Sequence, residues 1–209
     1  MRSFPILLSA LCVAAPLLAQ DPADFTYAVE DGGREVGREH VVLWPARGSS
    51  GSSRIQIDAR NRAAREDLRA TLTRTGTSVD GLVLEIRGPA GTLVVRAANR
   101  GGRVFISTTG EGARGGRELP GGPNVIFIDS ALQSLLFPAV DLATPEGAKL
   151  SAIHVRSGER IEFVAKRVEG GGRTTIELSG ALSGQIRLDK DGLVEEMTVG
   201  RKRLVRSRT

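Results

Sequence analysis

Gly184-Gln185-Ile186-Arg187-Leu188-Asp189-Lys190-Asp191-Gly192-Leu193-Val194 reads as two extended segments folded back on one another. Ile186 and Leu188 alternate with polar neighbours, so one face of the chain is directed at a core and the other at water. The Asp191-Gly192 pair accepts the positive φ of a tight hairpin turn, and Leu193 and Val194 restart the apolar pattern beyond it.

The same grammar continues upstream. Extended segments are expected at 150–156, 161–168, 174–178 and 193–199, parted by Ser157-Gly158, Gly170 to Gly172 and Gly180. Toward the other end, Phe25, Tyr27 and Val29 alternate with Thr26 and Ala28, turn at Asp31-Gly32-Gly33, and resume over 36–43. Ile55 and Ile57, then Leu68, Ala70 and Leu72, mark two more strands, followed by 82–86, 93–97 and 104–107. About twelve short strands result, and a mainly β domain with an antiparallel sheet is the expected class. Most would be too short to cross an outer membrane, which takes roughly 9–11 residues per strand, and aromatic girdles are missing.

One stretch breaks the two-residue period. Ala131, Leu132, Leu135 and Leu136 repeat at three and four residues behind Asp129 or Ser130 as a cap, which predicts a single short helix ending near Pro138. Its apolar face needs a surface to cover, and a curved sheet supplies one. Before it, residues 109–123 are rich in glycine and poor in apolar side chains and read as a flexible loop. No Gly-Lys-Ser/Thr ending makes this loop a phosphate cradle.

Residues 1–19 have the pattern of an export signal: Arg2, an apolar run over 6–18, and Ala19 as a small residue for cleavage before Gln20. The segment is short for a membrane anchor, which needs roughly 20 apolar residues. Cys12, the one cysteine of the chain, lies within it. A processed chain spanning 20–209 would be a single β-rich domain without disulfides, thiol chemistry or cysteine-held metals, located in the periplasm or outside the cell. No further segment of that processed chain reads as transmembrane. The net charge is +5, and a dense basic cluster occurs only in a tail from about residue 200, at Arg201, Lys202, Arg203, Arg206 and Arg208. With one Trp and one Tyr, the chain lacks the basic, aromatic face of a nucleic-acid binder.

Catalytic patterns are scarce. His40 and His154 lie in different strands, and nothing in their spacing brings them together with a carboxylate, so neither a metal nor another cofactor is expected. Ser49, Ser50, Ser52 and Ser53 sit in a Gly/Ser stretch rather than on a nucleophile elbow. Asp129 serves best as a helix cap, and Glu159, Glu162, Glu169 and Glu177 have nearby basic partners in Arg156, Arg160, Lys166, Arg167 and Arg173. Asp189 and Asp191 shape a turn rather than a calcium loop. A non-enzymatic role is therefore expected.

Phe25-x-Tyr27-x-Val29 with Asp31-Gly32 and Val36-Gly37, together with Ile186-x-Leu188-Asp189-x-Asp191-Gly192-Leu193-Val194, resembles the frame of uncharacterised exported bacterial proteins. Those are in turn similar to the periplasmic lipoprotein-carrier superfamily. The resemblance implies a half-barrel or incomplete β-barrel, a short helix at its mouth as lid or plug, and a concave side that holds an acyl chain or another apolar ligand. It places Leu132, Leu135, Leu136 and Phe137 in the lid. On this reading an apolar cavity beneath the helix is lined by Phe105, Ile153 and Phe163, and the protein binds or carries a lipid in the cell envelope. The alternative is a structural or protein-interaction module of the envelope, which requires an exposed apolar patch or an uncovered sheet edge.

Overall fold

A computed structural model describes residues 21–47, 51–111 and 113–207. The expected export leader, with Cys12, lies outside the described residues, as do Ser49 and Ser50 of the Gly/Ser stretch and Arg208 of the basic tail.

The described residues form one antiparallel sheet with a single parallel pair. Its strands are β1 (Ala23–Asp31), β2 (Arg34–Arg47), β3 (Ser52–Asn61), β4 (Glu66–Thr75), β5 (Ser78–Gly88), β6 (Gly91–Arg100), β7 (Arg103–Gly110) and β8 (Ala113–Pro120). They continue with β9 (Val125–Ile128), β10 (Ala148–His154), β11 (Arg160–Gly170), β12 (Arg173–Gly180), β13 (Gly184–Leu188), β14 (Val194–Val199) and β15 (Lys202–Arg206). Hairpin follows hairpin from β1 to β8 on one side and from β10 to β15 on the other. The two runs join where β15 pairs with β1, and β9 adds to β10 in parallel at the far end.

Strict alternation holds the sheet in register. Val41, Ile57, Ala70, Leu84 and Val95 stand opposite one another across β2 to β6 and are all buried. Burying a larger apolar side chain of this kind contributes roughly 1.5–3 kcal/mol. The neighbouring row on the other face is Thr26, His40, Asp58, Arg69 and Glu85. A slip of one residue would exchange the two rows, so the core itself fixes the pairing.

The sheet curls without closing. All four residues of β9 are buried, and β9 packs against β5. At the opposite edge, Arg114 to Glu118 of β8 are all exposed. No ladder joins these two ends, so the barrel is incomplete. Side chains bridge the gap instead: Arg160 Nη1 donates to the Pro120 carbonyl at 2.8 Å, and Arg117 donates to the carbonyl of Ser157. Between β9 and β10 the chain forms a 3-10 turn, Gln133–Leu136, and one short helix, α1 (Pro138–Leu142), whose apolar side chains join the core.

Several local expectations change. Fifteen strands, not about twelve, occur among the described residues. The glycine-rich 109–123 stretch is largely β8 and its turn, because pairing with β7 gives its backbone the bonds that its side chains do nothing to secure. The basic segment from about residue 200 is not a tail up to Arg206: Leu204 is buried, and β15 joins the halves of the sheet. Pro138 does not end a helix but begins α1, where its missing N–H has no partner to lose. Strand length also fails as an argument against an outer-membrane barrel, since β2 has 14 residues and β5 and β11 have 11 each. The faces answer that question better. Apolar side chains point inward and charged rows outward, the reverse of a lipid-facing barrel.

Candidate functional site

The interior is closely filled around the helical segment. Leu132, Leu135, Leu136, Phe137, Ile153 and Phe163 all lie in the one apolar core. Phe137 meets the Tyr27 ring edge-on at 5.5 Å, and the Tyr27 hydroxyl donates to the Val194 carbonyl at 2.9 Å. Burial holds the Tyr27 phenol well above its usual value, against the opposing charge of Arg206. Near the segment there is a cleft of about 210 Å³, with Leu132, Leu136, Leu182, His154 and Lys202 on its walls. That is smaller than the roughly 300–1,000 Å³ of ordinary ligand sites. Leu135, Phe137, Ile153 and Phe163 do not line it.

Glu39 fastens this segment to the sheet. It shares the inward parity of Val41 on β2 and is buried. Its carboxylate accepts the backbone N–H groups of Gln133 at 2.7 Å and Ser134 at 2.9 Å, and also the Ser134 hydroxyl. Burial raises the Glu39 carboxyl above its usual range, while these donors and the charge of Lys202 pull the other way. A second anchor holds the start of the segment. Arg156 reaches both oxygens of buried Asp129, at 2.6 and 3.0 Å, and both oxygens of Glu66 on β4, at 3.1 and 3.2 Å. Asp129 also accepts the Ala131 N–H at 2.9 Å, which closes a turn ahead of the 3-10 segment; the helix cap expected of Asp129 is not formed, since the N-cap position is Leu132.

The two histidines do not meet. His154 is at the end of β10, where Nε2 accepts the Ser130 N–H at 3.2 Å. His40 is on the outer face, 2.6 Å from Asp24, in a cleft of about 380 Å³. Beside it, burial of Asp58 is outweighed by hydrogen bonds from Arg69 and Gln56, which hold its carboxyl below the usual range. The charges of this cleft are consumed in ion pairs such as Arg87–Glu85 and Arg60–Asp67. Among the described residues, no group of three His, Cys, Asp or Glu side chains could hold a metal ion.

Phe105 belongs elsewhere. Val104 and Ile106 take the inward positions of β7, so Phe105 faces outward and is 47% exposed. With Val83, it is one of only two large exposed apolar side chains among the described residues, and both line one groove on the outer face of β4 to β8. The groove has a volume of about 760 Å³. Its floor is low because Gly81, Ala98 and Gly116 stand at outward positions of β5, β6 and β8, with Ser107 of β7 opposite Gly116. Arg96, directly opposite Val83, and Arg100 rise from β6, and neither has a hydrogen-bond or ion-pair partner among the described residues. Glu118 at the rim is already paired with Arg103 at 2.7 Å, and Asp80 accepts the Thr75 hydroxyl at 2.7 Å. The uncommitted charge of the groove is therefore positive.

Phe105 thus lies on the face opposite to the one expected for it, and Arg96, Arg100 and Glu39 join the residues of interest only through the fold. Parity with Val41 was the signal for Glu39. Nothing in the sequence distinguished Arg96 and Arg100 from the other arginines, since their freedom depends on which cross-strand neighbours they meet.

No known protein family matches the chain, and no curated protein does. Among solved structures, it is similar to a β-barrel-like protein of the domain of unknown function DUF1849 from Brucella abortus. That likeness has a TM-score of 0.53 and 10% identity, covering 90% of this chain and 96% of the other. It is also similar to a DUF1089 family protein from Pseudomonas aeruginosa, with a TM-score of 0.47 and 16% identity over 91% of this chain and 97% of the other. At such identity the first likeness bears on the fold alone.

Proposed function

We propose that this protein is a non-catalytic binding module of the cell envelope that takes an amphiphile, an apolar chain with an anionic head, into the outer groove of β4 to β8. The envelope setting rests on the leader pattern of residues 1–19. The observation that carries the ligand class is the joining of Val83 and Phe105 with the unpaired Arg96 and Arg100 in one low-floored trough. Exposed apolar area of this kind is costly unless something covers it, and a free guanidinium beside it selects a negative group. This reading keeps the apolar ligand implied by the carrier resemblance but moves it from the packed interior, where the helical segment acts as a plug, to the outside.

Calorimetric titration with laurate, dodecanol and dodecyltrimethylammonium tests the proposal. Laurate should bind, dodecanol more weakly and the cation not at all. Phe105→Ala and Arg96→Glu should each weaken laurate at least tenfold, while Leu136→Ala in the inner cleft leaves it unchanged. Equal binding of the cationic and anionic chains, or indifference to both groove substitutions, overturns it.

A further inference from the structure

The one exposed edge of the sheet has a sequence that fits itself. We propose that two copies of this chain associate across a two-fold axis by antiparallel pairing of β8 with β8, with Gly116 opposite Gly116.

The edge carries no second ladder: Arg114 to Glu118 are exposed, β8 has a backbone partner only on its β7 side, and the contacts that meet it across the gap are those of Arg160 with the Pro120 carbonyl and of Arg117 with the Ser157 carbonyl. Such a strand is a template for another strand unless charge, proline or a bulge blocks it. Here a Cβ at Gly115 would meet nothing within 4 Å, and one at Gly116 only the Ile106 carbonyl at 3.7 Å, so both faces of the strand are low at its middle.

Antiparallel geometry then restricts the register. Residues directly opposite each other either both point their backbone groups across the shared edge or both point them away. A strand pairing with its own copy therefore sets residues of equal parity opposite one another, and the axis passes through a single residue. Centred on Arg117, the pairing would oppose that arginine to itself, which is unfavourable. Centred on Gly115, it would use only residues 113–117 of the strand and join no opposite charges. Centred on Gly116, it uses residues 113–119, sets Ala113 against Leu119 and Gly115 against Arg117, and places Arg114 opposite Glu118 twice. Arg114 has no partner among the described residues, and Glu118 can share its carboxylate between Arg103 and the incoming guanidinium. Because Gly116 and Glu118 also line the outer groove, the pairing sets two grooves end to end.

Sedimentation velocity on the purified chain tests this across a wide concentration range. The wild type should shift from monomer to twice its mass as concentration rises. Arg114→Glu and Glu118→Arg should each remain monomeric by placing like charges opposite, and the double variant should recover the dimer by exchanging the partners. Circular dichroism checks that each single variant keeps its sheet. A wild type that stays monomeric at the highest concentration, or a double variant that fails to recover association, overturns the pairing. The groove reading is separable: Arg96→Glu should abolish laurate binding yet leave the dimer intact, and the monomeric Arg114→Glu variant, whose site lies outside the groove, should still bind laurate.

Discussion

Glu39, on the second strand of the sheet, accepts both the backbone N–H and the hydroxyl of Ser134, ninety-five positions further along the chain. A carboxyl acceptor inside the core thus fixes a helical segment whose own N-terminus carries no side-chain cap. Glu39→Gln turns one acceptor atom into a donor facing other donors. It is expected to lower the unfolding free energy by about 2–3 kcal/mol, measured by urea denaturation.

The same residue gives stability an uncommon pH dependence. Its folded pKa is raised, so its contribution is complete below the unfolded value of about 4.3 and is lost as pH rises through the folded value. Asp189 behaves oppositely: burial is outweighed by hydrogen bonds from Arg206 and the N–H groups of Leu193 and Asp191, so its carboxyl lies below the usual range. Its contribution is present above about 3.9 and lost as pH falls through the lower folded value. In urea midpoints taken from about pH 3 to about pH 8, Glu39→Gln should flatten the decline on the alkaline side and Asp189→Asn the decline on the acid side.

Arg156 leaves a buried carboxylate behind if it is removed. Arg156→Ala should cost about 2–4 kcal/mol, chiefly through unpaired Asp129, allowing for the part of the guanidinium that is in water. Asp129→Asn combined with Arg156→Met should recover a good part of that loss, and a thermodynamic cycle of the single and double variants measures the coupling.

The two faces of the sheet predict opposite responses to truncation of phenylalanine. Phe163→Ala empties a core position and should cost about 3–5 kcal/mol. Phe105→Ala should change stability by no more than about 0.5 kcal/mol, because the ring faces outward. Equal losses at both positions would contradict the assigned parity of β7.

Two glycines separate close approach from open edge. A Cβ at Gly184 would stand 1.9 Å from the Thr198 carbonyl oxygen, whereas one at Gly115 meets nothing within 4 Å. Gly184→Ala should cost at least about 3 kcal/mol or prevent folding, and Gly115→Ala should lie within about 0.5 kcal/mol of the parent. Thermal unfolding of the two variants side by side checks the contrast.

Where one face of a strand is buried, its sequence spells the fact out, and the segments around Ile57, Leu72, Leu84 and Ile186 were legible for that reason. β8 was not: none of the side chains of 114–120 is buried, and its order comes from the ladder to β7. Pro138 was ambiguous because proline both stops a helix and starts one, and which it does here depends on the turn packed before it. Phe105 lies in the run Val104-Phe105-Ile106, where three apolar residues in succession hide the alternation. Glu39 keeps the parity of the core, and the energy that allows a carboxylate there comes from donors on a segment far along the chain. The groove was the least legible part, since it is a property of five strands lying side by side.

Pairing of β15 with β1 also governs the order in which the protein can be assembled during synthesis. Lys202–Arg206 is the last strand to leave the ribosome among those described, yet it is the seam between the two runs of hairpins. Until it emerges, one side of β1 and one side of β14 lack their neighbours, and each half can be no more than a sheet with an additional raw edge. A polypeptide stopped just before Lys202 would therefore lack the one ladder between the two runs of hairpins and carry raw edges prone to pairing with other chains, which makes Lys202–Arg206 the check on the strands translated before it.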